Sequence, residues 1–230
     1  MRLDKYICQA TSLTRSQAKK VISQGRITNK SDTIRNTAYK ISTDETIFLN
    51  GKALTIRGPR YIMLNKPQDF ICSTVDEQLP SVLNLIDVEK RDQLFIAGRL
   101  DADTTGLTLI TDDGQWSHQI TSPRKKCAKR YRVSLAEVLP ENAAEQFKEG
   151  IQLKSENQAC LPATLDMISD TEALLTISEG KYHQVKRMFA AVGNHVTGLH
   201  REKIGKIELD SNLELGEWRY LTDTEVHNIA

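Results

Sequence analysis

The chain predicts an α+β protein in two parts, a small module of two helices and a β-ribbon followed by a larger unit of short strands with a few helices among them. Three observations point there. The 230 residues hold 39% hydrophobic and 27% charged side chains, enough apolar surface for a core in a water-exposed protein. Residues 1–60 carry a net charge of +8 and the rest a net of −7, so a basic front end precedes an acidic body although the whole sums to +1. Beyond residue 60, short apolar runs recur between turns bearing Gly, Asp and Pro.

In the front module Leu3, Tyr6 and Ile7 recur at helical spacing. Thr14-Arg15-Ser16-Gln17 is a capping-box pattern, in which the Thr14 hydroxyl takes a free amide of the first turn and Gln17 reaches back. Ala18, Val21 and Ile22 form the apolar face of that second helix, and Gly25 stands where a left-handed stop belongs. Arg15, Lys19 and Lys20 fall on its polar side, with Arg26 just beyond. Strands are expected at Arg26–Thr28 and Thr46–Leu49, with a turn near Asn29–Asp32 and a hairpin signal at Asn50-Gly51. Thr55–Arg60, with Pro59, has the character of a linker, and divides the chain into 1–57 and 58–230.

The second part opens with a strand at Tyr61–Leu64, ended by Asn65-Lys66-Pro67, and a short helix is expected at Ser81–Ile86. Leu94–Ala97 and Leu107–Thr111 are short buried strands, joined by the polar turn Gly98–Leu107 that carries Asp101 and Asp103. On spacing alone this turn is either a solvated loop or a catalytic turn with Arg99 and Asp101 at the end of a strand. Paired carboxylates also suit glycosidase-type acid–base work, but nothing else in the chain supports a sugar pocket.

A helix through Trp116 and Ile120 leads into Arg124, Lys125, Lys126, Lys129, Arg130 and Arg132, within nine residues and with no acid among them. Such a cation-rich loop suits a phosphate backbone. Tyr131 begins a strand to Leu135, and is either a base-stacking aromatic or a half-buried sheet tyrosine. Glu141–Gly150 is a helix and Ala173–Ser178 a strand. Val185, Met188, Phe189 and Val192 repeat at helical spacing up to Gly193, with Lys186 and Arg187 early in that helix. Thr222–Glu225 is a second capping box before a C-terminal helix.

Composition also excludes function classes. Cys8, Cys72, Cys127 and Cys160 are scattered, which argues against a zinc site or disulfide framework and fits a reducing cytoplasm. No signal peptide and no apolar run of membrane-spanning length is evident, so no membrane partner is expected. The histidines and cysteines lack ligand spacing, so neither a metal nor a cofactor is expected. The basic front end calls for a polyanion, with nucleic acid the commonest.

Residues 1–55 resemble the S4 RNA-binding domain, through Arg2-Leu3-Asp4-Lys5-Tyr6-Ile7, Thr14-Arg15-Ser16-Gln17-Ala18 and Ile22…Gly25-Arg26-Ile27. The resemblance implies contact of Arg15, Lys19, Lys20 and Arg26 with structured RNA, which is recognised mostly through shape and backbone. Gly98–Leu107 with Asp112-Asp113-Gly114, together with Asn65-Lys66-Pro67, Lys129-Arg130-Tyr131-Arg132-Val133 and Glu179–Met188, resembles the RsuA-type pseudouridine synthases. That implies a mixed, mainly antiparallel sheet and an isomerase that turns a uridine of 16S small-subunit ribosomal RNA into pseudouridine. The base is flipped out, detached from C1′, rotated and rejoined through C5, with no cofactor.

On the same resemblance Asp101 is the catalytic aspartate, attacking the nucleoside or removing a sugar proton. Lys186 stands where related enzymes carry an arginine, which keeps the charge without the bidentate geometry, and Arg187 is the fallback partner. Tyr131 would stack on the flipped uracil, Ile177 would line the pocket, and Arg99 would hold the nucleotide out of its stack. Arg124, Lys125, Lys126, Lys129, Arg130 and Arg187 would meet the RNA. Asp103 is assigned neither cation nor stacking partner. The expected partner is ribosomal RNA in a small-subunit assembly intermediate, met by a monomer. The same chemistry on large-subunit RNA, and a non-catalytic RNA-binding or assembly factor, are the alternatives.

Overall fold

The structure is a computed structural model that describes residues 1–229, and it divides into two compact units, Met1–Pro59 and the remainder from Arg60. In the first unit, helices α1 (Leu3–Ala10) and α2 (Arg15–Ser23) pack with a small antiparallel sheet of β1 (Ile27–Thr28), β2 (Ile47–Leu49) and β3 (Lys52–Leu54). Leu3, Ile7, Ala18, Ile22, Ile27 and Ile47 are wholly buried in one cluster. Burial of each larger aliphatic side chain contributes roughly 1.5–3 kcal/mol, which is what holds so small a unit together. Both halves of the capping box form, with Gln17 N donating to the Thr14 hydroxyl and Thr14 N donating to Gln17 Oε1. Asn50 (φ 51°) and Gly51 (φ 80°) make the β2–β3 turn, where two successive left-handed residues match the twist of a tight hairpin.

The second unit contains β4 (Tyr61–Lys66), β5 (Phe95–Ala97), β6 (Thr105–Thr111), α3 (Gly114–Thr121), β7 (Lys129–Leu135) and α4 (Ala143–Glu149). It continues with β8 (Thr164–Ser169), β9 (Glu172–Ile177), α5 (Gln184–Ala191), β10 (Val196–Ile204), β11 (Ile207–Glu208), β12 (Trp218–Tyr220) and α6 (Asp223–His227). Nine strands form one sheet in the order β12-β4-β6-β10-β7-β9-β8, with β5 beside β6 and β11 beside β10. Every pairing is antiparallel except β6–β10, so the sheet is mixed and mainly antiparallel.

The central strands are buried on both faces. Ile62, Leu64 and Ile110 join one apolar cluster while Met63, Leu107 and Leu109 join another. That is why Ile62-Met63-Leu64 in β4 and Leu109-Ile110 in β6 are consecutive apolar residues rather than alternating ones. The parallel pair sets His200 and Arg201 opposite Thr105 and Gly106. Gly106 has φ +101°, and a Cβ there would meet the Arg201 backbone nitrogen at 2.8 Å as well as its carbonyl oxygen. Glycine is what allows the two backbones to approach.

Two expectations need correction. Arg60 is not linker: it is 7% exposed, with its backbone N–H and Nε on Asp112 (2.7 and 2.8 Å) and its Nη2 on the Lys90 carbonyl (3.0 Å). A buried guanidinium needs such partners, so the second unit begins with it. The expected helix at Ser81–Ile86 is a single 3₁₀ turn, Val82–Leu85, capped by the Ser81 side chain.

Candidate active site

The turn between β5 and β6 is pinned from beneath by two buried cations. Lys66, at the end of β4, is wholly buried and donates from Nζ to the carbonyls of Pro67 (2.9 Å), Ala102 (3.1 Å) and Thr104 (2.8 Å). Burial pushes its ammonium pKa below the ordinary lysine value, although nearby acidic groups work the other way. Arg201, on β10, is 1% exposed and donates from Nη2 to Gly98 (2.8 Å), from Nη1 to Arg99 (3.4 Å) and from Nε to Leu107 (2.8 Å). Its Nη1 is also 3.5 Å from the Tyr131 hydroxyl, and its guanidinium carbon lies 5.9 Å from that ring's centroid. The Leu100 amide donates to Cys72 Sγ at 3.2 Å, and the Asp69 amide to the Ala102 carbonyl at 3.0 Å. A polar turn held at both ends and along its underside aims its side chains without a helix or strand of its own.

Asp101 therefore faces a cavity of about 860 Å³, lined also by Arg99, Tyr131, Ile177, Lys186 and Arg201. That volume is within the range of small-ligand pockets. The Asp101 side chain is 32% exposed, with His183 Nε2 at 3.3 Å from one oxygen and Lys186 Nζ at 3.6 Å from the other. Both side chains come from the start of α5, His183 at its N-cap and Lys186 in its first turn. Tyr131 is more deeply buried than a half-buried sheet residue, at 7% exposure, and β7 sets it between Leu175 and Arg201. Ile177 is 3% exposed and supplies apolar wall.

The separation of Asp101 from Asp103 by their partners is overturned. Lys186 Nζ lies 2.6 and 2.7 Å from the two Asp103 oxygens, nearer than to Asp101. Burial works to raise the Asp103 carboxyl, but the Lys186 hydrogen bond and charge outweigh it and hold the group below the usual carboxylate range. Sequence spacing alone could not tell which carboxylate the lysine would reach, because turn geometry decides it. Arg187 is not the fallback: its guanidinium is committed to Glu156 (2.9 Å) and to the carbonyls of Tyr182 (3.0 Å) and Lys154 (2.7 Å).

The expected cation-rich loop is shorter than nine residues. Arg124, Lys125 and Lys126 are exposed and lead away from Ser122 and Pro123 at the cavity rim. Lys129, Arg130 and Arg132 instead lie on β7. Lys129 donates to the Cys127 carbonyl (2.9 Å), and burial lowers its pKa. Arg130 pairs with Glu202 (3.2 Å) and Arg132 with Glu202 (2.7 Å) and Glu172 (2.9 Å). The acids missing from that run of sequence come from neighbouring strands. In the first unit Arg15, Lys19, Lys20 and Arg26 are all exposed, Arg26 bonded to Asn50 Oδ1 at 3.0 Å.

Arg201, His183, Lys66 and Cys72 escaped the reading of the sequence as site residues. Lys66 and His183 stand inside motifs that drew notice, but Arg201 carries no local signal and enters only through the β6–β10 register. Among the described residues no cluster of three or more His, Cys, Asp or Glu could hold a metal.

A mixed sheet that presents one pinned carboxylate to a cavity walled by a tyrosine and an aliphatic side chain defines an enzyme with room for a planar base. Residues 60–191, more than half the chain, match the family model described as RNA pseudouridylate synthase, and the chain belongs to that family of uridine isomerases. Over 229 residues it is 52% identical to the ribosomal small subunit pseudouridine synthase A of Vibrio cholerae, covering 100% of this chain and 99% of the relative. It is 50% identical over 231 residues to the protein of the same name from Escherichia coli K12, with 100% of both covered. A crystal structure of a pseudouridylate synthase, 47% identical, aligns over 100% of both chains with a TM-score of 0.73. No helix among the described residues is long and apolar enough to cross a membrane.

Proposed function

We propose that this chain converts a uridine of 16S small-subunit ribosomal RNA to pseudouridine, with Asp101 as the catalytic carboxylate. The observation that carries the reading is the placement of Asp101 over a cavity beside Tyr131, with Lys186 and His183 against its two oxygens. Full-length similarity of about half the residues to relatives named for the small subunit supports the choice of RNA.

The isomerisation breaks the bond from uracil N1 to C1′, turns the ring within the cavity and joins C5 to C1′. The C5 proton leaves and N1 gains one, so no atom is lost overall. Asp101 must be ionised to bond to C1′ or to take a sugar proton, and Lys186 Nζ and His183 Nε2 lie against its two oxygens. The buried ring of Tyr131 suits stacking on the extruded uracil, and Ile177 its apolar edge. Arg99, exposed at the cavity mouth, suits a role in holding the nucleotide out of its stack.

The first unit, residues 1–57 in this reading, is the docking module, with Arg15, Lys19, Lys20 and Arg26 on phosphates and the catalytic unit following from 58. Arg124, Lys125 and Lys126 extend the contact at the cavity rim. The protein acts as a cytoplasmic monomer on an assembly intermediate of the small subunit.

The test is 16S RNA from cells lacking the modification, mapped for pseudouridine after incubation. The protein should convert a single site, and Asp101→Asn should abolish conversion while leaving RNA affinity within about threefold. Conversion by Asp101→Asn at the unsubstituted rate overturns the assignment.

A further inference from the structure

Tyr182 is 76% exposed, against 49% for Tyr220. Its ring lies parallel to that of His183, with centroids 3.9 Å apart and an interplanar angle of 17°. His183 Nε2 in turn reaches Asp101 at 3.3 Å. A solvent-facing ring thus stands one ring away from the catalytic carboxylate, and both rings line the cavity that holds Tyr131.

This placement is not that of a loose loop tip. The Lys181 amide donates to Gln184 Oε1 (2.8 Å), and Gln184 Nε2 donates to Glu179 Oε1 (2.8 Å). Arg187 Nη1 holds the Tyr182 carbonyl at 3.0 Å while its own fork is anchored on Glu156 and Lys154. Lys181 Nζ ties the segment to the Gln158 carbonyl at 2.9 Å. His183 adopts φ +45°, a left-handed backbone that a non-glycine residue keeps only where its surroundings impose it. The segment is therefore fixed, with His183 in an uncommon conformation, and the outcome is an aromatic face turned to water.

We propose that Tyr182, backed by His183, is a second stacking platform that takes an unpaired base adjacent to the target uridine. The inference rests on the reading of the substrate as RNA and deepens it. A flipped uridine on Tyr131 leaves its neighbour's faces partly uncovered, and an exposed ring at the rim replaces the lost stack. Every base has a π-face, so the platform tolerates sequence but requires that the neighbouring nucleotide be unpaired or easily unpaired. It therefore selects for local RNA structure, whereas Tyr131 and Asp101 act on the uridine itself.

The test uses the full chain, unmodified 16S RNA, and a short target RNA in which the nucleotides flanking the uridine are made abasic one at a time. Tyr182→Ala should raise KM about 5- to 100-fold on intact RNA, with kcat at saturating RNA within about threefold. Tyr182→Phe should restore KM, because the ring rather than the hydroxyl does the stacking. One abasic neighbour should raise KM for the unsubstituted protein and abolish the difference between it and Tyr182→Ala. An unchanged KM for Tyr182→Ala, a Phe variant as poor as the Ala variant, or full additivity of the two changes overturns the platform. If the unsubstituted protein fails to modify 16S RNA, the proposed substrate falls. The platform is then decided by direct binding of the same RNA to the Ala and Phe variants.

Discussion

Arg201 Nη2 donates to the carbonyl of Gly98 at 2.8 Å, joining residues 103 apart in the sequence. Among the described residues no carboxylate pairs with this buried guanidinium, whose donors go to three carbonyls of the catalytic turn and its flanks. The same group lies beside the Tyr131 hydroxyl, so one side chain sets the carboxylate turn and the stacking ring relative to each other.

Arg201→Lys keeps the charge and loses the fork, whose three nitrogens each reach a different carbonyl, those of Leu107, Arg99 and Gly98. The expected result is a folded protein less stable by about 1–3 kcal/mol, from carbonyls left without donors. Its single-turnover rate should fall at least about tenfold through misplacement of the turn. Urea unfolding and a rapid-quench assay read the two effects separately, and an unaltered single-turnover rate contradicts the bracing role.

Gly106→Ala tests the close approach of β6 to β10. The new Cβ would stand against the Arg201 backbone at a left-handed φ of +101°, where both sterics and conformation oppose it. A destabilisation of roughly 2–4 kcal/mol is expected, relative to a Gly180→Ala control. Gly180 is the right control because its backbone is ordinary and nothing lies within 4 Å of the added atom. Equal stability of the two variants would mean that the strands can part without penalty.

The same register explains what the sequence could and could not reveal. The capping boxes at Thr14 and Thr222, the Asn50-Gly51 hairpin and the strand runs around the turn were legible, because each depends on interactions within a few residues. The neighbourhood of Asp101 was legible only in part. Lys186 could be expected near the turn, but its preference for Asp103, at 2.6 Å against 3.6 Å for Asp101, depends on the geometry of the loop. Arg201 could not be placed at all, since its role exists only once a parallel strand pair brings it under Gly98. Arg130 and Arg132 misled for the same reason, their acids lying on β9 and β10.

Lys186→Ala and Asp103→Asn should separate the two carboxylates. The Asp103 side chain is 67% exposed, and pairs so open to solvent contribute about 1 kcal/mol or less. Asp103→Asn should therefore lower kcat/KM by less than about fivefold. Lys186→Ala removes the cation from Asp101 as well and should lower it by at least about tenfold. Equal losses in steady-state assays on 16S RNA would return Asp103 to the chemistry.

Replacing Arg15, Lys19 and Lys20 together by alanine tests the basic face of α2 with the chain intact. These side chains are exposed, so little stability should change. If each neutralises one phosphate, the slope of log affinity against log salt should fall by about 2–3 units, since each contact contributes roughly 0.7–0.9. Filter binding between about 50 and 200 mM salt reads this directly. An unaltered slope would remove this face from the RNA interface.

Acid stability should depend on Glu225, whose two oxygens take Arg219 Nη1 and Nη2 at 2.9 and 2.8 Å while Arg219 Nε holds Asp210 at 2.7 Å. The Arg219 hydrogen bonds are the chief cause that lowers the Glu225 carboxyl from 4.5 to about 2, against a smaller opposing effect of burial. Because the folded value lies below the unfolded one, the contribution is fully present above about pH 4.5 and is lost as pH falls towards 2. A shift of that size corresponds to at most about 3 kcal/mol, less after screening at a pair roughly a quarter exposed. Glu225→Gln should therefore lower stability by about 1–3 kcal/mol at pH 7, and the gap to the unsubstituted protein should narrow steadily below about pH 4.5. Urea unfolding at intervals from pH 7 to pH 3 measures that gap, and a difference that stays constant with pH would show that the pair contributes packing rather than charge.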